Sequence, residues 1–197
     1  MSRFPGSFAL IVLPVLVLGL AACETPAVEQ SLPELTFAHL KPIKLSVATI
    51  EVVSQYRPPL RPPNVEHLFP TPPLKVLRRW ASDRLKAVGK SGSARLVIHK
   101  ASAVESVLKK KTGFTAAFTK QQSHRYDLAV EATLEIFADG RQKGNALAHA
   151  TRFSTLREDT SINKRQRICV DLTEALVRDF DAEMENNIRR HLGAWIR

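Results

Sequence analysis

The stretch YDLAVEATLEIF, residues 126–137, decides the fold class. Apolar side chains occupy alternate positions and acidic or polar side chains the others, which is the period of a β-strand with one buried face. The apolar positions are Leu128, Val130, Ala132, Leu134 and Ile136. Asp139 and Gly140 then supply turn chemistry, and residues 141–144 indicate a loop longer than two residues. Residues 146–156 alternate again, so the region predicts an antiparallel hairpin with one face on a core.

Two amphipathic helices are predicted to cover that hairpin. The C-terminal helix runs from residue 162 to 195 after a Thr160 or Ser161 cap, and an apolar residue recurs at every fourth position. That repeat consists of Ile168, Leu172, Leu176, Phe180, Met184, Ile188 and Leu192. The other helix runs from a Thr71 cap to Gly89, with Trp80 beside its apolar stripe and Arg84 on its polar side.

Strands at residues 42–53 and 94–104 complete the predicted sheet. Residues 57–73 carry repeated prolines, which predict a semi-rigid connector because proline fixes φ and removes a donor. Residues 105–123 fit either a short strand or a loop. The predicted fold class is α+β, with an antiparallel or mixed sheet of about four strands packed against two helices, the C-terminal one long.

The N-terminus has the layout of a secretory signal, with Arg3 ahead of an apolar run at residues 8–20. Leu20-Ala21-Ala22-Cys23 resembles the lipobox of bacterial lipoproteins. The resemblance implies that the Cys23 thiol carries diacylglycerol and that the chain is cut ahead of it. We therefore expect a signal peptide at 1–22, a lipidated N-terminus and tether at 23–41, and a single α+β periplasmic domain at 42–197.

Lipidation predicts where the protein resides. Two or more acyl chains give stable membrane anchoring. Glu24 is not the aspartate that resembles an inner-membrane retention signal, so we expect the inner leaflet of the outer membrane of a Gram-negative bacterium, facing the periplasm. The alternative is an ordinary signal peptide with an incidental cysteine. If Cys23 carries lipid, Cys169 has no disulfide partner and is expected to be a buried, inert thiol.

Charge points to anionic partners. Loss of residues 1–22 removes Arg3 and leaves 28 basic against 19 acidic residues, a net charge of +9. Nucleic acid is excluded outside the cytoplasm, which leaves anionic lipid, lipopolysaccharide phosphates or an acidic protein. The anion-binding candidates are Lys109, Lys110, Lys111, Lys120 and Arg125, with Lys164, Arg165 and Arg167 opening the second helix. A solvated basic loop is the alternative.

Catalytic and metal-binding motifs are not evident. The six histidines are scattered without a His-x-x-x-His pair, and no second cysteine is available for zinc. Gly89-Lys90-Ser91 follows a predicted helix and lacks the earlier glycine of a phosphate-binding loop. We expect a protein that is not an enzyme and that has no metal site and no cofactor.

The order of elements resembles the small domains of auxiliary lipoproteins of ABC-type lipid transport systems and, more distantly, lipopolysaccharide-assembly lipoproteins. The resemblance rests on residues 77–85 of the first helix, on Arg125-Tyr126-Asp127 at the start of a strand and on the long C-terminal helix. It implies a non-enzymatic docking or assembly component with an envelope protein partner. The alternative is an anionic lipid or lipopolysaccharide-binding module that uses the basic loop.

Overall fold

Long strands and two helices dominate the structure, a computed structural model that describes residues 35–109 and 121–197. The strands of these residues are β1 (Ile43–Leu45), β2 (Thr49–Ser54), β3 (Leu85–Ala87), β4 (Ser93–Val107), β5 (Gln122–Ala138) and β6 (Arg141–Arg157). The α-helices are α1 (Pro73–Arg84) and α2 (Ile162–His191), and short 3-10 turns cover Glu66–Leu68 and Gly193–Trp195. The α+β prediction is confirmed.

The main sheet has the strand order β2-β4-β5-β6. Strand β2 runs parallel to β4, and β4, β5 and β6 form an antiparallel meander. Strands β1 and β3 form a separate parallel pair. The predicted mixed sheet of about four strands is therefore present, with the small β1 and β3 pair in addition.

The predicted apolar repeat of the C-terminal helix packs against one face of the sheet. Phe180, Met184 and Ile188 have no exposed surface, and the apolar alternate positions of β5 are buried beneath them. Trp80 of α1 is also fully buried, and its ring meets Phe180 edge-on at 5.2 Å between centroids. The core thus lies between this sheet face and both helices.

The first predicted strand, residues 42–53, is two strands that belong to different sheets. The chain turns between them, where the Val47 amide donates to the Leu45 carbonyl at 2.8 Å and the Val47 side chain is fully buried. The alternating pattern of residues 42–53 is compatible with one continuous strand or with two strands separated by a turn. A bend at a buried apolar residue does not change that pattern.

The first predicted helix is shorter than expected and has different ends. Its N-cap is Pro72 rather than Thr71, and its C-cap is Leu85 rather than Gly89. From Leu85 the backbone is extended, since residues 85–87 pair with β1 instead of continuing the helix. Arg84, expected on the polar side, is 2% exposed.

The β5–β6 connection is a two-residue turn, so the prediction of a longer loop was wrong. Asp139 and Gly140 have φ of 52° and 70°, the positive values that a tight hairpin turn requires. An irregularity in register follows, because Ile136 faces Gly144 while Phe137 faces Gln142. The C-terminal helix likewise ends at His191 rather than at residue 195, where a 3-10 turn follows.

Two connecting segments are more tightly bound to the domain than predicted. The end of the proline-rich connector covers the open edge of β4, because Val65 donates to the Ala103 carbonyl and Glu105 donates to the Pro63 carbonyl, both at 2.8 Å. The last residues of the predicted tether also pack on the domain, with Phe37 buried and its amide bonded to Asp83 at 2.9 Å. Among the described residues, no helix has the length and apolarity that a membrane crossing needs.

Candidate docking surface on the sheet

The main sheet has a second face that neither α1 nor α2 covers, here called the helix-free face. Side chains alternate across a strand, so the residues between the buried positions of β5 point to this face. They include Asp127, Ala129, Glu131, Thr133 and Glu135, all partly exposed. The face is therefore the one large sheet surface that the described residues leave open to another molecule.

Polar contacts between strands hold part of this face in place. The His99 ring lies between the Gln55 side-chain oxygen at 3.0 Å and the Thr133 hydroxyl at 2.9 Å, which links β4 to its neighbours on both sides. Arg95 donates to Glu51 at 3.1 Å and lies over the Phe137 ring at 5.3 Å. These contacts order the surface without covering it.

A shallow groove of about 250 Å³ opens toward one end of the face. Its lining residues are Lys100, Ser102, Val104, Arg125, Asp127, Leu128, Ala129, Thr151, Arg152 and Phe153. The short side chains of Ser102 and Ala129 leave room that longer ones would fill. Phe153 stands at the side of the groove with 59% of its surface exposed. Aromatic residues and arginine are enriched at protein interfaces, which makes Phe153 and its neighbouring arginine a candidate contact.

Arg125 is held in one orientation beside the groove. Its Nε donates to both carboxylate oxygens of Asp127, at 2.9 and 2.8 Å, and Nη2 donates to Oδ1 at 2.7 Å. These bonds raise the pKa of Arg125. The guanidinium also stacks on Phe153, 3.9 Å from the ring centroid. A planar cation fixed over an aromatic ring loses little conformational freedom when a partner covers it.

The sequence predicts Arg125 as an anion-binding candidate together with the lysines of the neighbouring loop. In the structure the Arg125 charge is already engaged by Asp127. The spacing of Arg125 and Asp127 places both side chains on one face of a strand, so their pairing could have been proposed. Phe153 could not be assigned to them, because its position opposite Asp127 depends on the register of the hairpin.

The other candidate residues lie partly outside the described structure. Lys109 is exposed just after β4, near the end of the sheet where Ser106 pairs with Arg125. Lys110, Lys111, Lys120 and the lipidation candidate Cys23 fall outside the described residues. Their predicted roles remain predictions.

The basic residues that open α2 do not form one group. Lys164 and Arg167 are exposed. Arg165 instead turns toward β5, where its Nη1 donates to the Tyr126 hydroxyl at 2.8 Å and lies 3.4 Å from Glu105. Burial, the largest of several causes, raises the pKa of Tyr126 to about 12, so the hydroxyl keeps its proton. Arg165 therefore joins the helix to the sheet.

Cys169 is buried as predicted, with 5% of its surface exposed. Burial raises the pKa of its thiol to about 11, and the nearby Arg165 charge offsets this only in part.

Over residues 35–109 and 121–197, no three histidine, cysteine or acidic side chains are arranged to share a metal ion.

Comparison with known proteins gives no family assignment. No protein-family model matches the chain, and no curated protein sequence matches it. Solved structures with a similar chain path include the rare lipoprotein B from Shewanella oneidensis, at a TM-score of 0.35 and 13% sequence identity. That alignment covers 70% of this chain and 92% of the Shewanella chain.

Proposed function

We propose that the protein is a lipid-anchored, non-enzymatic docking component of the bacterial envelope that binds a protein partner through its helix-free face. The observation that carries this proposal is the groove beside the stacked Arg125 and Phe153 pair. The lipobox resemblance at Cys23 supplies the anchor and supports a site on the outer membrane, facing the periplasm. The layout resemblance to auxiliary lipoproteins of lipid transport systems supports a membrane transport or assembly complex as the setting.

The chemistry of the groove specifies the partner surface. Phe153 offers an aromatic face that gains most when an apolar side chain excludes water from it. Lys100 is exposed at the same groove, opposite Glu131, and can pair with a carboxylate of the partner. The proposed occupant is therefore an envelope protein that places an apolar side chain over Phe153 and an acidic one near Lys100.

Co-purification of the detergent-extracted full chain tests this proposal. We expect Phe153→Ser to reduce the recovered partner by about tenfold, since an interface aromatic contributes roughly 1.5 kcal/mol or more. Ile162→Ser is the matched control, because Ile162 is 76% exposed at the start of α2. Equal recovery of the same partner with both variants would show that the helix-free face is not the docking surface.

The anchor is tested separately. Radiolabelled palmitate should enter the wild-type chain and should not enter Cys23→Ala. Equal labelling of both chains would exclude Cys23 as the acylation site and would leave the docking surface to be judged by the Phe153 experiment alone.

The alternative function, binding of anionic lipid or lipopolysaccharide, is supported by exposed Lys109, Lys164 and Arg167. It predicts salt-sensitive binding to anionic liposomes that is lost when residues 109–111 are replaced by alanine. Binding that is indifferent to both salt and these replacements would refute this alternative.

A further inference from the structure

A second groove, of about 270 Å³, lies between the proline-rich connector and the first turn of α1. Its walls are apolar and come from Pro58, Leu60, Pro72 and Leu74. Buried Ala101 of β4, whose side chain belongs to the core cluster, also borders it. The groove is therefore on the helix-bearing side of the sheet, apart from the docking surface.

A buried carboxylate also lines this groove. Glu66 is only 2% exposed, and its Oε1 accepts a bond from the Tyr56 hydroxyl at 2.7 Å. Burial and the neighbouring Glu66 raise the pKa of Tyr56, so that hydroxyl remains a donor. Glu66 Oε2 has no hydrogen-bond partner among the residues that the structure describes. Since a buried acceptor is normally bonded, Oε2 is the acceptor that a donor bound in this groove would satisfy.

The backbone of the groove wall is held in an unfavourable conformation. Leu60 has a φ of 55°, in the left-handed region that bulky side chains rarely adopt. Its side chain is nevertheless 63% exposed, so burial within the domain does not account for this conformation. Strained backbone clusters at ligand-binding segments, among other functional sites, which makes Leu60 a candidate ligand contact.

Basic side chains border the groove. His67, Lys75 and Arg78 line it, and all three are exposed. The groove thus combines a buried hydrogen-bond acceptor, a basic rim and an apolar wall. An anionic lipid head group without N–H donors would pair with the basic side chains of the rim but would leave Glu66 Oε2 without a hydrogen bond.

We propose that this groove binds a phospholipid with a phosphoethanolamine head group. The ammonium donates to Glu66 Oε2, the phosphate faces Arg78, and the start of an acyl chain lies on Leu60 and the adjacent prolines. One ligand then supplies a partner for the buried acceptor, for the basic rim and for the apolar wall. This groove lies on a different surface from the docking groove of the helix-free face, and binding at either surface does not require binding at the other.

Photoactivatable lipids test the proposal on the full-length chain in phosphatidylcholine nanodiscs. Two probes with identical acyl chains carry either phosphoethanolamine or phosphocholine, which differ in the N–H donors of the ammonium. We expect the phosphoethanolamine probe to label residues 58–78 about tenfold more strongly, the ratio typical of one charge-assisted hydrogen bond. Equal labelling by both probes would overturn the proposal.

Substitutions locate the interaction. Glu66→Gln should lower labelling by the phosphoethanolamine probe to the level of the phosphocholine probe. Glu51→Gln, the same change at a carboxylate on the helix-free face, should leave it unchanged. Labelling of the Glu66→Gln variant at the wild-type level would contradict the proposed role of Oε2.

A second variant covers the case in which Glu66→Gln does not fold. Leu60→Gly suits a φ of 55° and removes the apolar wall, so it should fold and still lose most labelling. Full labelling of a folded Leu60→Gly variant would refute the site. Free phosphoethanolamine in excess should not compete, because it lacks the acyl chain, and complete competition would show that the ligand is not a lipid.

Discussion

Arg84 is the buried cation that joins α1 to α2. Its Nε donates to Asp181 Oδ1 at 2.7 Å, its guanidinium also bonds Glu185 and the Lys41 carbonyl, and the Trp80 indole donates to the same Asp181 oxygen at 2.7 Å. Asp181 and Glu185 look like ordinary surface residues in the sequence, because helical spacing alone does not show which partner lies above them. The pairing requires α1 to lie across α2.

Replacing Arg84 should therefore be costly. Arg84→Met removes one partner of a buried ion pair and leaves Asp181 with the Trp80 indole and Glu185 with Arg189 as their remaining donors. We expect this to cost about 3 kcal/mol of unfolding free energy. Urea denaturation of Arg84→Met and of the control Arg178→Met measures the difference. Arg178 is 72% exposed and pairs with Glu174 within α2, so its loss should cost under about 0.5 kcal/mol. Similar losses for both variants would contradict this account.

Acid should weaken the same contact. Hydrogen bonds from Arg189 and Arg84 lower the pKa of Glu185 below its ordinary value of 4.5. A group with a lowered folded pKa stabilises the fold above its unfolded pKa and loses that contribution as pH falls through the folded value. The stability difference between wild type and Glu185→Gln should thus be full at neutral pH and shrink below pH 4.5. A difference that stays constant or grows on acidification would contradict the ion pair.

Cys169 should be nearly inert in the folded protein. With a thiol pKa of about 11, the reactive thiolate at pH 8 is a minute fraction of that in the unfolded chain. Alkylation of the Cys169 peptide, followed by mass spectrometry, should be about a hundredfold slower in native buffer than in urea. Comparable rates in both conditions would show that the thiol is accessible.

Among the elements, the β1 and β3 pair depends on a glycine. An added Cβ at Gly89 would lie 2.5 Å from the Ser46 carbonyl carbon and 2.6 Å from the Val47 nitrogen, and neither backbone atom can move freely. Gly89→Ala should destabilise the protein by about 2–3 kcal/mol. Gly193→Ala, where the added carbon meets open space, should change the thermal midpoint little. Equal thermal midpoints of unfolding for Gly89→Ala and Gly193→Ala would contradict this prediction.

Periodic elements could be predicted from sequence, and elements set by tertiary pairing could not. The alternation of β5 and the four-residue repeat of α2 follow from burial of one face, so both appear in the sequence. Residues 85–87 continue a helical apolar stripe, yet they pair with β1. The repeated prolines predicted a semi-rigid connector at residues 57–73. Its hydrogen bonds to β4 depend on a neighbour that is distant in the chain.

The candidate site shows the same division. Arg125 could be named as a candidate from its charge and its position near the start of a strand, and its role stays a prediction. Neither groove could be predicted, and neither could the roles of Phe153 and Glu66. Each depends on which side chains meet across strands or beneath the connector. A buried glutamate has no sequence signature that separates it from an exposed one.

At the scale of the molecule, the groove beside Phe153 and the segment through which the N-terminal chain joins the domain lie in different regions. Residues 36 and 37 attach to Asp83 at the end of α1, whereas Arg125 and Phe153 lie toward the end of the sheet where Lys109 leaves β4. The 15 residues of β4 span about 45–50 Å at roughly 3.3 Å per residue. We expect this length to present the docking surface away from the point where the tether enters.

Photo-crosslinking in intact cells tests the docking account most directly. A photoreactive amino acid at Thr151, in the groove, is compared with one at Arg178 on the exposed side of α2. We predict that the Thr151 probe captures one envelope membrane protein, that Phe153→Ser reduces this adduct by about tenfold, and that the Arg178 probe does not capture it. Capture of the same protein from both positions, or no adduct from Thr151, would contradict docking through the helix-free face.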